Sequence, residues 1–376
     1  MLDLSAAFDC VDHLILLQRL VRNFGLTGAV LQWMTSFLTG TTQQVTYDGR
    51  LSAIQQVRFG VPQGSVLGPL LFTIYTAEVS KIVINHGCQV HLYADDCQVY
   101  VSAPVDAVSS ATTRLSQCIA DVAEWFSINR LRLNPAKTQV IWLGSKHLVD
   151  KVVIVDAPVL STTVRTTDST RDLGVVLDSY LTMAPHMSAV CRAAYYQLRQ
   201  LRLLMRSLSF DAAKLLVQVF VSTRLDYCNS LMYGISNNLN RRLQAVQNAA
   251  ARLITSTRRC EHITPVLQQL HWLPVRQRVH FKLAVLEYKA LHDRLPSYLA
   301  EDCQLVAVTG RRRLRSSDID TCQVRRTNTR FGDRSFAAAG PRTCNSLPTQ
   351  LRDSELSLQQ FRRSLKTHLY KHVFGY

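Results

Sequence analysis

The residues best suited to chemistry lie in a short stretch, 90–101. Val90, Leu92, Val99 and Val101 alternate there with polar neighbours, the period of two half-buried strands. Between the strands comes Ala94-Asp95-Asp96, a turn that sets two adjacent carboxylates at the tip of an apolar hairpin. Two like charges held side by side repel, and a shared cation relieves the repulsion. An exposed Asp-Asp hairpin turn is the plainer reading of this stretch by itself. Asp3 supplies a third carboxylate, flanked by Leu2 and Leu4 as on a short buried strand. Three carboxylates from neighbouring strands would meet the demand of Mg²⁺ for hard oxygen ligands, completed by water and phosphate. Two such ions about 3.5–4 Å apart are the common apparatus for transferring a nucleotide to a 3′-hydroxyl.

The elements that would position these groups follow in order. Residues 13–24 have helical apolar spacing up to Gly25, and a second helix runs over 27–38. Segments 43–47 and 53–57 bracket Asp48-Gly49, a hairpin signal. Gly60-Val61-Pro62-Gln63-Gly64-Ser65-Val66-Leu67-Gly68-Pro69 is a stiff, glycine-rich loop where backbone can approach a ligand closely. It opens into an apolar helix over about 70–84. A long helix is expected over 105–128, ending at Asn129, then a turn at 133–138 leading into a strand over 139–143. Short strands are expected at 152–155, 159–164 and 173–177. Beyond about 180–185 the pattern turns helical: 187–208, 211–232, 239–254, 275–291 and 357–373.

The 376 residues carry 43 Lys and Arg against 27 Asp and Glu, a net charge of +16 that is unevenly placed. Residues 1–184 hold 13 basic and 15 acidic side chains; residues 185–376 hold 30 and 12. A near-neutral half is thus joined to a polycation, which suits contact with a phosphate backbone, although a solvated basic surface has the same composition. Arg192, Arg199, Arg202 and Arg206 form a stripe along one helix and are the candidate nucleic-acid contacts. The basic run Arg311-Arg312-Arg313-Leu314-Arg315 lies in a weakly patterned linker. Ten cysteines include no Cys-x-x-Cys pair, so no zinc knuckle or redox motif is expected. The sequence has no membrane-length apolar run and no signal peptide, and the expectation is an intracellular chain, not secreted, with compartment open. No feature calls for a protein partner.

Leu2-Asp3-Leu4-Ser5-Ala6-Ala7-Phe8-Asp9, Gly60-Val61-Pro62-Gln63-Gly64-Ser65 and Tyr93-Ala94-Asp95-Asp96, in that order, resemble consecutive palm motifs of reverse transcriptases, most nearly those of non-LTR (LINE-type, jockey and CR1-like) retrotransposons. The similarity continues through Leu173-Gly174-Val175, Leu225-Asp226-Tyr227-Cys228-Asn229 and Leu270-His271-Trp272-Leu273-Pro274. The resemblance implies an α+β fold: a right-hand polymerase palm, an antiparallel sheet with packed helices, over 1–180, without a fingers subdomain ahead of it. It further implies a basic all-α thumb-like region over 181–300, with a basic linker and terminal helix over 301–376. Such a chain would be shortened at its N-terminus.

The implied activity is RNA-directed DNA synthesis from dNTPs on an RNA template and DNA primer or target, with two Mg²⁺ ions, or Mn²⁺ in their place. By resemblance Asp3, Asp95 and Asp96 are the metal-binding aspartates and Lys137 protonates the leaving pyrophosphate. Phe8 is the aromatic gate against a ribose 2′-hydroxyl. Gln63 and Gly64 pack on the incoming nucleotide, Tyr93 lies near the primer end, and Leu173-Gly174-Val175 is the primer grip. The alternative is an inactive fragment that retains only nonspecific nucleic-acid binding.

Overall fold

The computed structural model describes residues 1–306, 321–353 and 355–375, so the Arg311 to Arg315 run falls outside the described residues. The chain divides into two compact units, Met1–Leu173 and Gly174–Tyr376. Among the described residues no helix is long and apolar enough to cross a membrane.

The first unit mixes helices with short antiparallel ladders. Its core gathers Leu2, Leu4, Leu16, Leu20, Leu71, Phe72, Tyr75, Val122 and Phe126. The antiparallel sheet expected of this region is instead a set of short two-stranded ladders, with an isolated antiparallel bridge, Leu2 to Cys97, between two of them. The strands Gln89–Tyr93 and Asp96–Tyr100 pair as expected, with Leu92 opposite Cys97 and Tyr93 opposite Asp96. Asp48-Gly49 also turns a hairpin, pairing Thr46–Tyr47 with Arg50–Leu51. The helix His13–Arg22 begins at Asp12, whose carboxylate accepts from the amides of Leu14 and Ile15 at 2.9 and 3.2 Å, a side-chain N-cap. Its other oxygen pairs with Arg130 Nε at 2.9 Å.

Several expected elements differ. The helix expected over 70–84 is two, Gly68–Thr76 and Val79–Asn85. The buried Arg19 guanidinium donates to the Tyr75 carbonyl, which an unbroken helix would have bonded to the amide of Val79. Residues 139–143 form no strand; Val140 makes an isolated parallel bridge with Thr166. The strands expected at 152–155 and 159–164 are Asp156–Val159 and Thr162–Arg165, paired with each other. The strand expected at 173–177 starts at Val175, because Leu173 and Gly174 take positive φ angles of 43° and 83°.

The second unit is helical. Ala184–Leu204, Asn237–Thr255 and Val275–Leu291 bury Met187, Leu198, Leu243, Val246 and Leu283 in one core. The helix expected over 211–232 is interrupted. Phe210–Val217 passes through a π turn, Gln218–Ser222, into Thr223–Asp226, and Cys228 then adopts a φ of 49°. Asp226 is held there by both ends of the Arg278 guanidinium. Two helices absent from the sequence reading, Arg330–Arg334 and Phe336–Asn345, follow the undescribed segment. The second carries Gly340 and Pro341 in its interior, residues that read as breakers. Gly340 is needed because a side chain there would strike the carboxylate of Glu287, with which this helix packs.

Glu287 is fully buried. One of its oxygens accepts from the Cys303 thiol at 2.9 Å and the other has no hydrogen-bond partner. Burial pushes its carboxyl above the ordinary value of 4.5. A raised acid holds its proton in the folded state after the unfolded chain has lost it. The stability it contributes is therefore full below about pH 4.5 and is lost as pH rises through the folded value. Glu287→Gln should remove that decline and stabilise the chain at pH 8 by about 1 kcal/mol or more, with a smaller difference at pH 5; thermal melts of both proteins at the two pH values measure it.

Candidate active site

Asp3 is held by backbone on both sides. The amide of Leu2 donates to the carbonyl of Cys97 at 2.8 Å, and the carbonyl of Asp3 accepts from the amide of Asn134 at 2.8 Å. Leu4 pairs with Leu133 in the next ladder. Leu2 and Cys97 form an antiparallel bridge, so the register carried on by one residue sets Asp3 across from Asp96. Leu2, Leu4 and Cys97 point into the core, at 5%, 8% and 3% exposure. Asp3 and Asp96, one residue out of step, therefore share the opposite face.

The Asp95-Asp96 pair is placed by a two-residue turn. Ala94 has a φ of 52°, and Tyr93 faces Asp96 across the turn with its side chain largely exposed. Desolvation, and then the charges of Asp95, Asp172 and Asp3, push the Asp96 carboxyl above its ordinary 3.8. Among the described residues no three His, Cys, Asp or Glu side chains are gathered as ready-made metal ligands. Asp3, Asp95 and Asp96 carry like charges that repel, and the other two help to raise the Asp96 carboxyl. Their chemistry fits a hard divalent cation: all are oxygen donors, and Asp3 Oδ2 is buried without a hydrogen-bond partner.

Lys137 reaches this group, with Nζ 3.9 Å from Asp3 Oδ2 and most of its side chain exposed. It sits in the Asn134-Pro135-Ala136-Lys137-Thr138 turn, where Asn134 Oδ1 accepts from the amide of Ala136 at 3.1 Å. Phe8 is half-buried, its ring 5.2 Å from that of Phe72. The glycine-rich loop packs directly on the segment bearing Phe8: the amide of Val61 donates to the Phe8 carbonyl at 2.9 Å, and that of Gly60 to Val11 at 2.8 Å. Gln63 and Gly64 lie exposed at the loop tip, Gly64 with a φ of 82°. Ser65 Oγ accepts from the amide of Gly68 at 2.9 Å and closes the loop onto its helix.

Two participants escaped the sequence reading. Asp172 accepts from Gln98 Nε2 at 2.6 Å, and Gln98 shares the strand face of Asp96. Burial pushes the Asp172 carboxyl up. Its place next to Leu173-Gly174-Val175 was the one available signal. His13 is the other, with Nε2 2.7 Å from the Gly60 carbonyl. The Leu173-Gly174-Val175 triplet itself straddles the division between the two units. In the second unit a Cβ on Gly174 would meet the Tyr227 ring at 3.4 Å. Arg192, Arg199 and Arg202 stand exposed on Ala184–Leu204, and Arg206 follows in the turn Met205–Ser207. Tyr195 and Tyr196 are exposed on the same helix.

Residues 1–177 match the family model described as reverse transcriptase (RNA-dependent DNA polymerase). This region belongs to the reverse transcriptase family. The chain is also similar, at 30% identity over 269 residues, to the probable RNA-directed DNA polymerase from transposon BS of Drosophila melanogaster. That match covers 68% of this chain and 28% of the relative. It is 28% identical over 243 residues to the RNA-directed DNA polymerase from mobile element jockey of Drosophila funebris, covering 62% of this chain and 26% of that protein. A type-1 retrotransposable element R2 polyprotein of Popillia japonica matches at 27% over 146 residues, 36% of this chain and 23% of that one. The chain thus spans about a quarter of the length of the curated relatives it matches. This region is thus similar to the RNA-directed DNA polymerases of mobile elements.

Within this reverse transcriptase region, Gly60 ties the loop to the strand end. Its φ is 92°, and a Cβ there would lie 3.1 Å from both the Asp9 Cα and the Phe8 carbonyl oxygen. Gly60→Ala should therefore cost about 1–3 kcal/mol of stability, measured by urea unfolding, whereas Gly64→Ala, with open space around it, should cost only its backbone strain.

Proposed function

We propose that the chain carries out RNA-directed DNA synthesis, transferring a nucleotide from a dNTP to a primer 3′-hydroxyl on an RNA template. The observation that carries this reading is the Leu2–Cys97 bridge, which sets Asp3 across from the Asp95-Asp96 turn. Asp3, Asp95 and Asp96 would hold two divalent cations, Mg²⁺ or Mn²⁺ in its place. When bound, such ions supply a lowered pKa at the attacking hydroxyl and charge neutralisation at the triphosphate.

The remaining steps belong to the protein's own side chains. Lys137, beside Asp3 on an exposed turn, is free to swing toward the leaving pyrophosphate and give it a proton. Phe8, fixed between Phe72 and the glycine-rich loop, would crowd a ribose 2′-hydroxyl and favour deoxynucleotides. Gln63 and Gly64 offer backbone and an amide to the incoming nucleotide, and the exposed Tyr93 ring suits contact with the primer end. Leu173-Gly174-Val175 would steady the primer. The first unit is then the palm and the second a thumb, with Arg192, Arg199, Arg202 and Arg206 set along the duplex backbone. The primer would be DNA.

Primer extension on poly(rA)·oligo(dT) tests the catalytic reading. Extension by the wild-type chain should vanish in the Asp95→Ala, Asp96→Ala variant and fall about a hundredfold in Lys137→Ala. Wild-type extension no greater than that of the double variant would leave nucleic-acid binding as the chain's remaining property. Binding is read separately. Duplex affinity should drop steeply with salt, and alanine at all four arginines should lower the log–log salt slope by about 3–4; a flat response in filter binding rejects this surface.

A further inference from the structure

The second unit contains a cavity of about 490 Å³, within the range of small-ligand sites. It is lined in part by Tyr233, Arg276, His280, Arg330, Arg334 and Arg342, and none of its lining residues belongs to the helix Ala184–Leu204. Four arginines therefore face one space, against a single lining carboxylate, Asp333.

Two of the four are committed to structure. Arg334 donates to the carbonyls of Tyr233, Leu181 and Leu231, and its stem lies where a side chain on Gly234 would be. Gly234 has a φ of 68°, so both its conformation and its lack of a Cβ are used to seat that arginine. Arg342 is paired with Asp333 at 2.7 Å. Asp333 also accepts from Thr327 Oγ1 at 2.6 Å.

The other two are not neutralised. Among the described residues Arg276 donates only to the neutral Asn237 side chain, at 3.3 Å. Arg330 has neither hydrogen bond nor ion pair among the described residues. Next to them Tyr233 and His280 meet edge to face, with ring centroids 5.5 Å apart. Burial, and then the charge of Arg276, push the His280 imidazole below its ordinary 6.5, so it stays neutral at pH 7 and presents a ring. Uncompensated guanidinium groups beside an aromatic wall match a phosphate joined to a base.

We propose that this cavity receives a backbone phosphate of a single nucleic-acid strand, gripped by Arg276 and Arg330, with that nucleotide's base against Tyr233 and His280. The proposal rests on the reading that the chain handles nucleic acid, but not on its catalysis. It adds a discrete pocket to the exposed arginine stripe.

The test uses the full chain and a fluorescein-labelled oligo(dT), read by anisotropy through a salt titration. Arg276→Ala with Arg330→Ala should weaken binding about tenfold and lower the salt slope by about 0.7, the share of one single-strand phosphate. A lysine ammonium still binds phosphate as a point charge, so the Arg276→Lys, Arg330→Lys pair should stay within about threefold of wild type. Wild-type affinity and slope in the alanine pair overturn the proposal. If the alanine pair melts lower than wild type, the lysine pair decides: retained binding supports the site, and loss despite a wild-type melt overturns it. Competition separates the sources of phosphate. AMP or inorganic phosphate displacing the strand at micromolar concentration would make this a mononucleotide or free-anion site and overturn the strand assignment. Absent primer extension with this binding intact removes only the catalytic reading, while active extension with an indifferent alanine pair removes only the pocket.

Discussion

One backbone contact sets the geometry of the first unit: the amide of Leu2 donating to the carbonyl of Cys97. A single such bond is worth only about 1 kcal/mol net, so it does not hold the register alone. The register is enforced by what lies on either side of the strand. Leu2, Leu4 and Cys97 fill the core, and a slip of one residue would drive Asp3 inward and expose both leucines. Burying an unpaired carboxylate costs several times more than the bond supplies. The apolar alternation of Leu2, Asp3 and Leu4 therefore aims the carboxylate outward, and the Cys97 contact decides which neighbour it meets.

The same division of labour recurs around the site. Asp12 caps the first helix with one oxygen and holds Arg130 with the other, joining the helix start to the chain just after the long helix Val108–Ile128. Arg19 and Asn129 join at 2.5 Å, while the Tyr75 hydroxyl donates to the Asn129 carbonyl at 2.7 Å. These groups are buried, so each bond left unmade would carry the desolvation cost of its partner. The polar clasp orders three helices behind the face on which Asp3, Asp96 and Asp172 converge. Side chains that share one face keep a fixed geometry only when such supports restrict them to small displacements.

The second unit is organised by different means. Its apolar residues form helix faces that pack together, and many of its described arginines stand exposed. The arginines then differ by partner rather than by type. Arg278 is clamped on Asp226 and Arg334 on three carbonyls. Arg192, Arg199 and Arg202 stand in solvent. Paired arginines shape the fold, and the others leave their charge exposed.

What could be read directly were features encoded locally. The Asp95-Asp96 hairpin, the Asp48-Gly49 turn and the helix Val275–Leu291 emerge because alternation, turn residues and helical period act over a few neighbours. The three motifs by which residues 1–177 resemble reverse transcriptases are likewise short local strings. The errors arose where a distant residue intervened. Arg19 takes the Tyr75 carbonyl and splits a helix, and packing on Glu287 makes room for a helix through Gly340 and Pro341. Asp172 went unremarked in the sequence because its partner, Gln98, lies 74 residues away along the chain. Sequence alone determined which residue types were available and which short segments would turn or coil. Tertiary structure decided which carboxylates share a face and which arginines keep a free charge, because both depend on partners far along the chain.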